Sequence, residues 1–152
     1  MRNKTAFLAI MILAAFVAFV APASAQQDRV VVESKHSFEQ TIKNLKSAVG
    51  QGGMMVMAEV DQGNMLKMTG LDLKATTFLV GNPTVGKMLF QRNHGVGLYV
   101  PLRVFVTEEN GKTSISYEKA SAQLSKFNDS EINKTAAMLD EKLEGLARMA
   151  GM

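Results

Sequence analysis

Cysteine and tryptophan are both absent from this 152-residue sequence, which holds only two tyrosines, two histidines and three prolines. Without cysteine there is no disulfide, no thiol nucleophile and no thiolate ligand, so stability must come from burial and hydrogen bonding. The absence of tryptophan, with tyrosine only at Tyr99 and Tyr117, argues against a stacking platform for sugars or bases. His36 and His94 lie far apart with no partner at ligand spacing, and the Cys-x-x-Cys-His attachment of a haem is missing. Neither a Gly-x-Ser-x-Gly elbow nor a full glycine-rich phosphate signature occurs. A block of positive charge is lacking too. Setting Arg2 and Lys4 aside from the 17 Lys and Arg leaves 15 against 14 acidic residues, a balance that offers nucleic acid no electrostatic footprint.

What is present begins at the N-terminus. Arg2 and Lys4 precede an apolar run from Ala6 to Ala21, and Ala23-Ser24-Ala25 follows Pro22. These are the three parts of a secretory signal peptide, with cleavage expected after Ala25 and a mature chain from Gln26 in the periplasm or outside the cell. The apolar run is shorter than the ~20 residues that span a bilayer, so no stable membrane anchor is expected after cleavage; an uncleaved anchor is the competing reading. Residues 26–152 suffice for one domain.

Val30-Val31-Val32 reads as a strand buried on both faces or lying inside a sheet. Ser37 with Gln40 forms a capping-box pattern, and Phe38, Ile42, Leu45 and Val49 recur at helical spacing until Gly50, Gly52 and Gly53. Met54 to Val60 predicts a second strand and Ala75 to Val80 a third, with a short helix or ordered loop between them. Asn82-Pro83 caps and opens a helix that ends near Asn93. Leu98 to Thr107 reads as a fourth strand with Pro101 at a bulge or edge. Asn110-Gly111 predicts a tight hairpin into a fifth strand, Thr113 to Tyr117. After a polar linker, Asp129 or Ser130 caps a last helix bearing Ile132, Leu139, Leu143, Leu146 and Met149 on one face. The pattern predicts an α+β two-layer sandwich: one mostly antiparallel sheet of about five strands, with helices packed on one face.

Several segments share an order that resembles one family: Glu59-Val60-Asp61, Gly81-Asn82-Pro83 with Gly86, Gly97-Leu98-Tyr99-Val100-Pro101-Leu102, and Gly111 ahead of Ser116-Tyr117. Over roughly Ser37 to Leu124 the chain resembles domain of unknown function 302. The resemblance implies a compact α+β domain, often homodimeric, with no established activity. Many relatives carry histidine after the aspartate of the Asp61 motif, where this chain has Gln62. That substitution removes any histidine-dependent role at this position.

Candidate ligand-binding residues are Asp61, Gly81, Asn82, His94 and Arg103. Gly81 would let an anion approach the helix N-terminus behind Asn82, with Lys87 or Arg103 supplying charge, although Asn and Pro there also simply nucleate a helix. Glu59 and Asp61, two apart on a strand, point the same way and form a candidate acid/base pair. Met54, Met55, Met57, Met65 and Met68 are the most unusual enrichment. Soft thioethers at Met55, Met57, Met65 and Met68 would suit Cu(I), against which stands the ordinary use of methionine as core filler. The expectation is an exported, non-catalytic homodimer that binds a small apolar or anionic ligand or another envelope protein. A periplasmic Cu(I)-binding protein and an uncharacterised enzyme are the alternatives, and the sequence identifies no cofactor.

Overall fold

The computed structural model describes residues 28–152. The expected signal peptide and its cleavage after Ala25 lie outside the described residues. Five strands, β1 (Arg29–Glu33), β2 (Met55–Asp61), β3 (Lys74–Gly81), β4 (Leu102–Glu109) and β5 (Lys112–Glu118), form one antiparallel sheet in the order β1-β5-β4-β3-β2. Five α-helices accompany them: α1 (Phe38–Gln51), α2 (Gln62–Lys67), α3 (Pro83–Arg92), α4 (Ala120–Leu124) and α5 (Ser130–Gly151). The result is the predicted two-layer α+β arrangement.

Local chemistry accounts for most boundaries. Ser37 Oγ accepts from the Gln40 amide and starts α1, but the Gln40 side chain donates forward to Asn44, so only half of the capping box forms. Gly52 closes the helix and Gly53, at φ 67°, turns the chain into β2. Asn110 and Gly111, at φ 54° and 76°, supply the two positive values that a primed hairpin turn requires. The core fills the space between Phe78, Val80, Val104, Val106 and Ile115 of the sheet and Leu45, Val49, Leu89, Leu139, Leu143 and Leu146 of α1, α3 and α5.

Four details differ from the sequence reading. β1 is an edge strand: Val30 and Val32 pack against the core while Val31, 56% exposed, faces away. β-Branching specifies a strand but not its place in the sheet. β4 begins only at Leu102, because a 3₁₀ turn (His94–Leu98) precedes it and Pro101, without an N–H, stands outside the ladder. The supposed polar linker forms α4 and a second 3₁₀ turn (Ser125–Phe127). Lys119 gives α4 no side-chain cap, and the Asp140 carboxylate of α5 does so instead, accepting from the Ser121 amide and hydroxyl. Met149 lies off the buried stripe of α5, which Ala136, Ala147 and Ala150 complete.

Candidate functional site

Strand alternation sends half of each strand's side chains away from the helices. In the three inner strands the face opposite the core carries Leu79 and Thr77 of β3, Arg103 and Phe105 of β4, and Ser114 and Ser116 of β5; α2 covers only its Ala75 end, where Thr77 donates to Gln62 Oε1 at 3.0 Å, and leaves the rest uncovered. The edges add Val31 and Ala58. On this face lies an open groove of about 720 Å³, within the ordinary range for small-molecule sites. Its floor includes Leu79, Arg103, Phe105 and Ser116, and the segment from Gly97 to Pro101 lines it together with Arg29, Glu118 and Lys126.

The electrostatics of the groove are one-sided. Arg29, Arg103 and Lys126 face a single carboxylate, Glu118, and none of the three makes an ion pair among the described residues. Arg29 only approaches Ser116 Oγ at 3.5 Å, while Glu118 accepts from Gln123 at 3.2 Å. Lys126 Nζ sits 4.0 Å above the Tyr99 ring, whose edge in turn meets Phe127 with centroids 5.9 Å apart. A second depression of about 120 Å³ shares Val100 and Pro101 with the groove and is lined by Met57, Gly81, Val85, Phe90 and Leu139.

The residues singled out in the sequence are not gathered in one place. Arg103 belongs to the groove, whereas Gly81 and Asn82 belong to the smaller depression. The anion reading of the α3 N-terminus meets a closed set of donors. Pro83 has no N–H, Thr84 and Val85 donate to Asn82 Oδ1 at 2.8 and 3.2 Å, and Gly86 donates to the Asn82 carbonyl. Lys87 is exposed and lines neither cavity. Asp61 caps α2, accepting from the Asn64 amide at 2.8 Å, while Glu59 pairs with Lys46 at 2.6 Å, so the two carboxylates serve different partners. His94 opens the exposed 3₁₀ turn.

The methionines reverse the core-filling expectation. Of the nine described, only Met54 is buried, at 4% exposure; Met55, Met57, Met65, Met68, Met88, Met138, Met149 and Met152 are exposed. Met55 opens β2 opposite Gly81, while Met65 and Met68 follow its far end, at Asp61. Six strand residues of rise, roughly 20 Å, separate the two ends, so the four sulfurs proposed for Cu(I) do not converge. Sequence reasoning missed Arg29, Lys126 and Ser116. The alternation of Leu102, Val104 and Val106 against Arg103 and Phe105 was the available signal for the uncovered face.

Comparison with known proteins gives a family without an assigned activity. The family model described as "Domain of unknown function DUF302" matches residues 30–150. A crystal structure of an uncharacterized conserved DUF302 protein from Bacillus stearothermophilus superposes with a TM-score of 0.76 at 24% identity, covering 81% of this chain and 98% of that one. Among curated proteins, "Fluoride-specific ion channel FluC 1" of Brucella suis biovar 1 (strain 1330) is 37% identical over 81 residues, 53% of this chain and 32% of its own. "Fluoride-specific ion channel FluC 2" of Brucella melitensis biotype 1 matches at 37% over 30% of its length. The chain thus spans about a third of the curated relatives it matches. No helix among the described residues is long and apolar enough to cross a membrane.

Proposed function

This chain belongs to the DUF302 family, a domain of unknown function, and from that premise we propose that it is a non-catalytic binding module whose uncovered sheet face takes a small amphipathic anion. The observation that carries the proposal is the groove in which Arg29, Arg103 and Lys126 stand without ion-pair partners among the described residues, beside Leu79, Phe105 and Tyr99. Three cations against one carboxylate favour a negative headgroup, and the flanking apolar side chains favour an apolar body. The proposal includes export, on the strength of Arg2, Lys4, the Ala6 to Ala21 run and Ala23-Ser24-Ala25. It also includes a homodimer, which rests on the family resemblance.

Isothermal titration with octanoate, octanol and octylammonium tests the binding reading. Octanoate should bind, octylammonium should not, and octanol should bind more weakly than octanoate. A charge-assisted hydrogen bond contributes about 1.5–3 kcal/mol, so Arg103→Gln with Lys126→Gln should weaken octanoate about tenfold or more while unfolding stays unchanged. Equal affinity for the anion and the cation, or an unaffected double variant, would overturn the proposal.

A further inference from the structure

Methionine ranks among the residue types most often buried, and a soluble domain ordinarily spends it on irregular gaps in the core. Here that use is confined to Met54, and the other eight described methionines open to solvent, from 37% exposed at Met138 to 85% at Met68. They occur on β2, α2, α3, α5 and the C-terminus rather than around one centre, so they act as separate thioethers and not as a ligand set. Met54 and Met55 give the contrast in adjacent residues: strand entry turns the first into the core at 4% exposure and leaves the second outside at 55%.

We propose that these exposed methionines form an oxidant sink, a set of thioethers that takes up oxygen from hydroperoxides without damage to the fold. In each event a sulfur lone pair attacks one peroxide oxygen and the O–O bond breaks. That oxygen stays as the sulfoxide, and the other leaves as water, or as the alcohol when the oxidant is an organic hydroperoxide. Two thiols supplied by a methionine sulfoxide reductase return the thioether, giving a disulfide and water. The chain has no cysteine to compete for the oxidant or to be lost irreversibly to it. Sulfoxides are polar and disrupt cores, so a sink needs its sulfurs outside the packed layer, where eight of these nine lie.

The test is hydrogen peroxide treatment of the purified protein, followed by intact mass, peptide mapping and urea unfolding. Eight methionines should gain oxygen before Met54 does, the urea midpoint of that species should match the untreated protein, and methionine sulfoxide reductases A and B with dithiothreitol should restore the starting mass. A bystander enzyme inactivated by methionine oxidation should be spared in the presence of this protein. The variant M55L/M57L/M65L/M68L, which changes only exposed sites, should spare it about half as well. Oxidation of Met54 at the rate of Met55, an unfolding midpoint that falls with the first oxygens, or equal protection by the four-leucine variant would overturn the sink.

Discussion

Replacing Asn82 with alanine tests whether the start of α3 is a structural joint and not an anion site. Asn82 Oδ1 accepts from Thr84 and Val85, and Nδ2 donates to the Gly53 carbonyl at 2.8 Å, tying the helix to the turn before β2. Loss of an N-cap costs typically about 1 kcal/mol. Loss of the tie to Gly53 costs at most about 1 more, because water reaches the freed carbonyl. The expected total is about 2 kcal/mol, which at a urea m-value of ~2 kcal/mol/M moves the midpoint down by about 1 M. Asn82→Asp keeps the cap acceptor and loses the donor, so it should show about half that loss. Urea unfolding followed by circular dichroism measures both variants, and the Arg103→Gln/Lys126→Gln protein, whose groove has lost its cations, should gain no stability from inorganic phosphate. An alanine variant within about 0.5 kcal/mol of wild type, or a phosphate-dependent rise in the midpoint that persists in that double variant, would refute the reasoning and reopen the helix N-terminus as a site.

Three further outcomes follow from local geometry. Gly63→Ala places a Cβ 2.4 Å from the Leu73 carbonyl oxygen and 3.2 Å from the Ala75 nitrogen, both backbone, so α2 must lift from β3 at a cost of about 1–3 kcal/mol. Gly50→Ala, with nothing within 4 Å, should be neutral or stabilising in the same urea assay. The Arg92 guanidinium donates to Asp129 Oδ2 at 2.7 and 2.9 Å; with the Ile132 and Glu131 amides it holds the Asp129 carboxyl below the usual carboxylate range. Stability from a depressed carboxyl is complete above its unfolded value, about pH 4, and is lost as pH falls through the folded one. The gap between wild type and Asp129→Asn should therefore hold from neutral pH to about pH 5 and shrink below about pH 4 in thermal unfolding scans.

Elements whose cause is local were legible in the sequence. Ser37, Asn82 and Asp129 announce helices because a capping side chain acts within three residues, and Asn110-Gly111 announces a hairpin because both residues tolerate positive φ. What escaped depends on distant parts of the chain. β1 pairs only with β5, some 85 residues away, so nothing in Val30-Val31-Val32 told that it would be an edge. α4 takes its cap from Asp140 on another helix, and a search for a preceding Ser, Asp or Asn could not find it. The methionines misled for a related reason: a bulge between Val56 and Ala58 breaks the alternation expected of Met55 and Met57, and on an edge strand both are exposed, at 55% and 43%.

The site was the least legible part because it consists of what the fold leaves over. Residues that stabilise the domain have partners: Asp61, Asn82, Asp129 and Asp140 cap helices, Glu59 meets Lys46, and Lys142 donates to the Gly52 carbonyl at 2.9 Å. Asp61, Asn82 and Glu59, half of the polar residues that the sequence suggested as ligands or catalytic groups, belong to this group, and their chemistry is spent on the fold. Arg29, Arg103 and Lys126 have no ion-pair partner among the described residues, where Arg29 reaches only Ser116 Oγ and Lys126 the Tyr99 ring, and Phe105 stands half-buried in the central strand. Folding alone gives no return for aromatic and aliphatic surface in the middle of an uncovered sheet or for clustered cations near it; both are costs that a ligand would offset. The partition between satisfied and unsatisfied groups, more than any motif, is what singles out the groove for the proposed binding role.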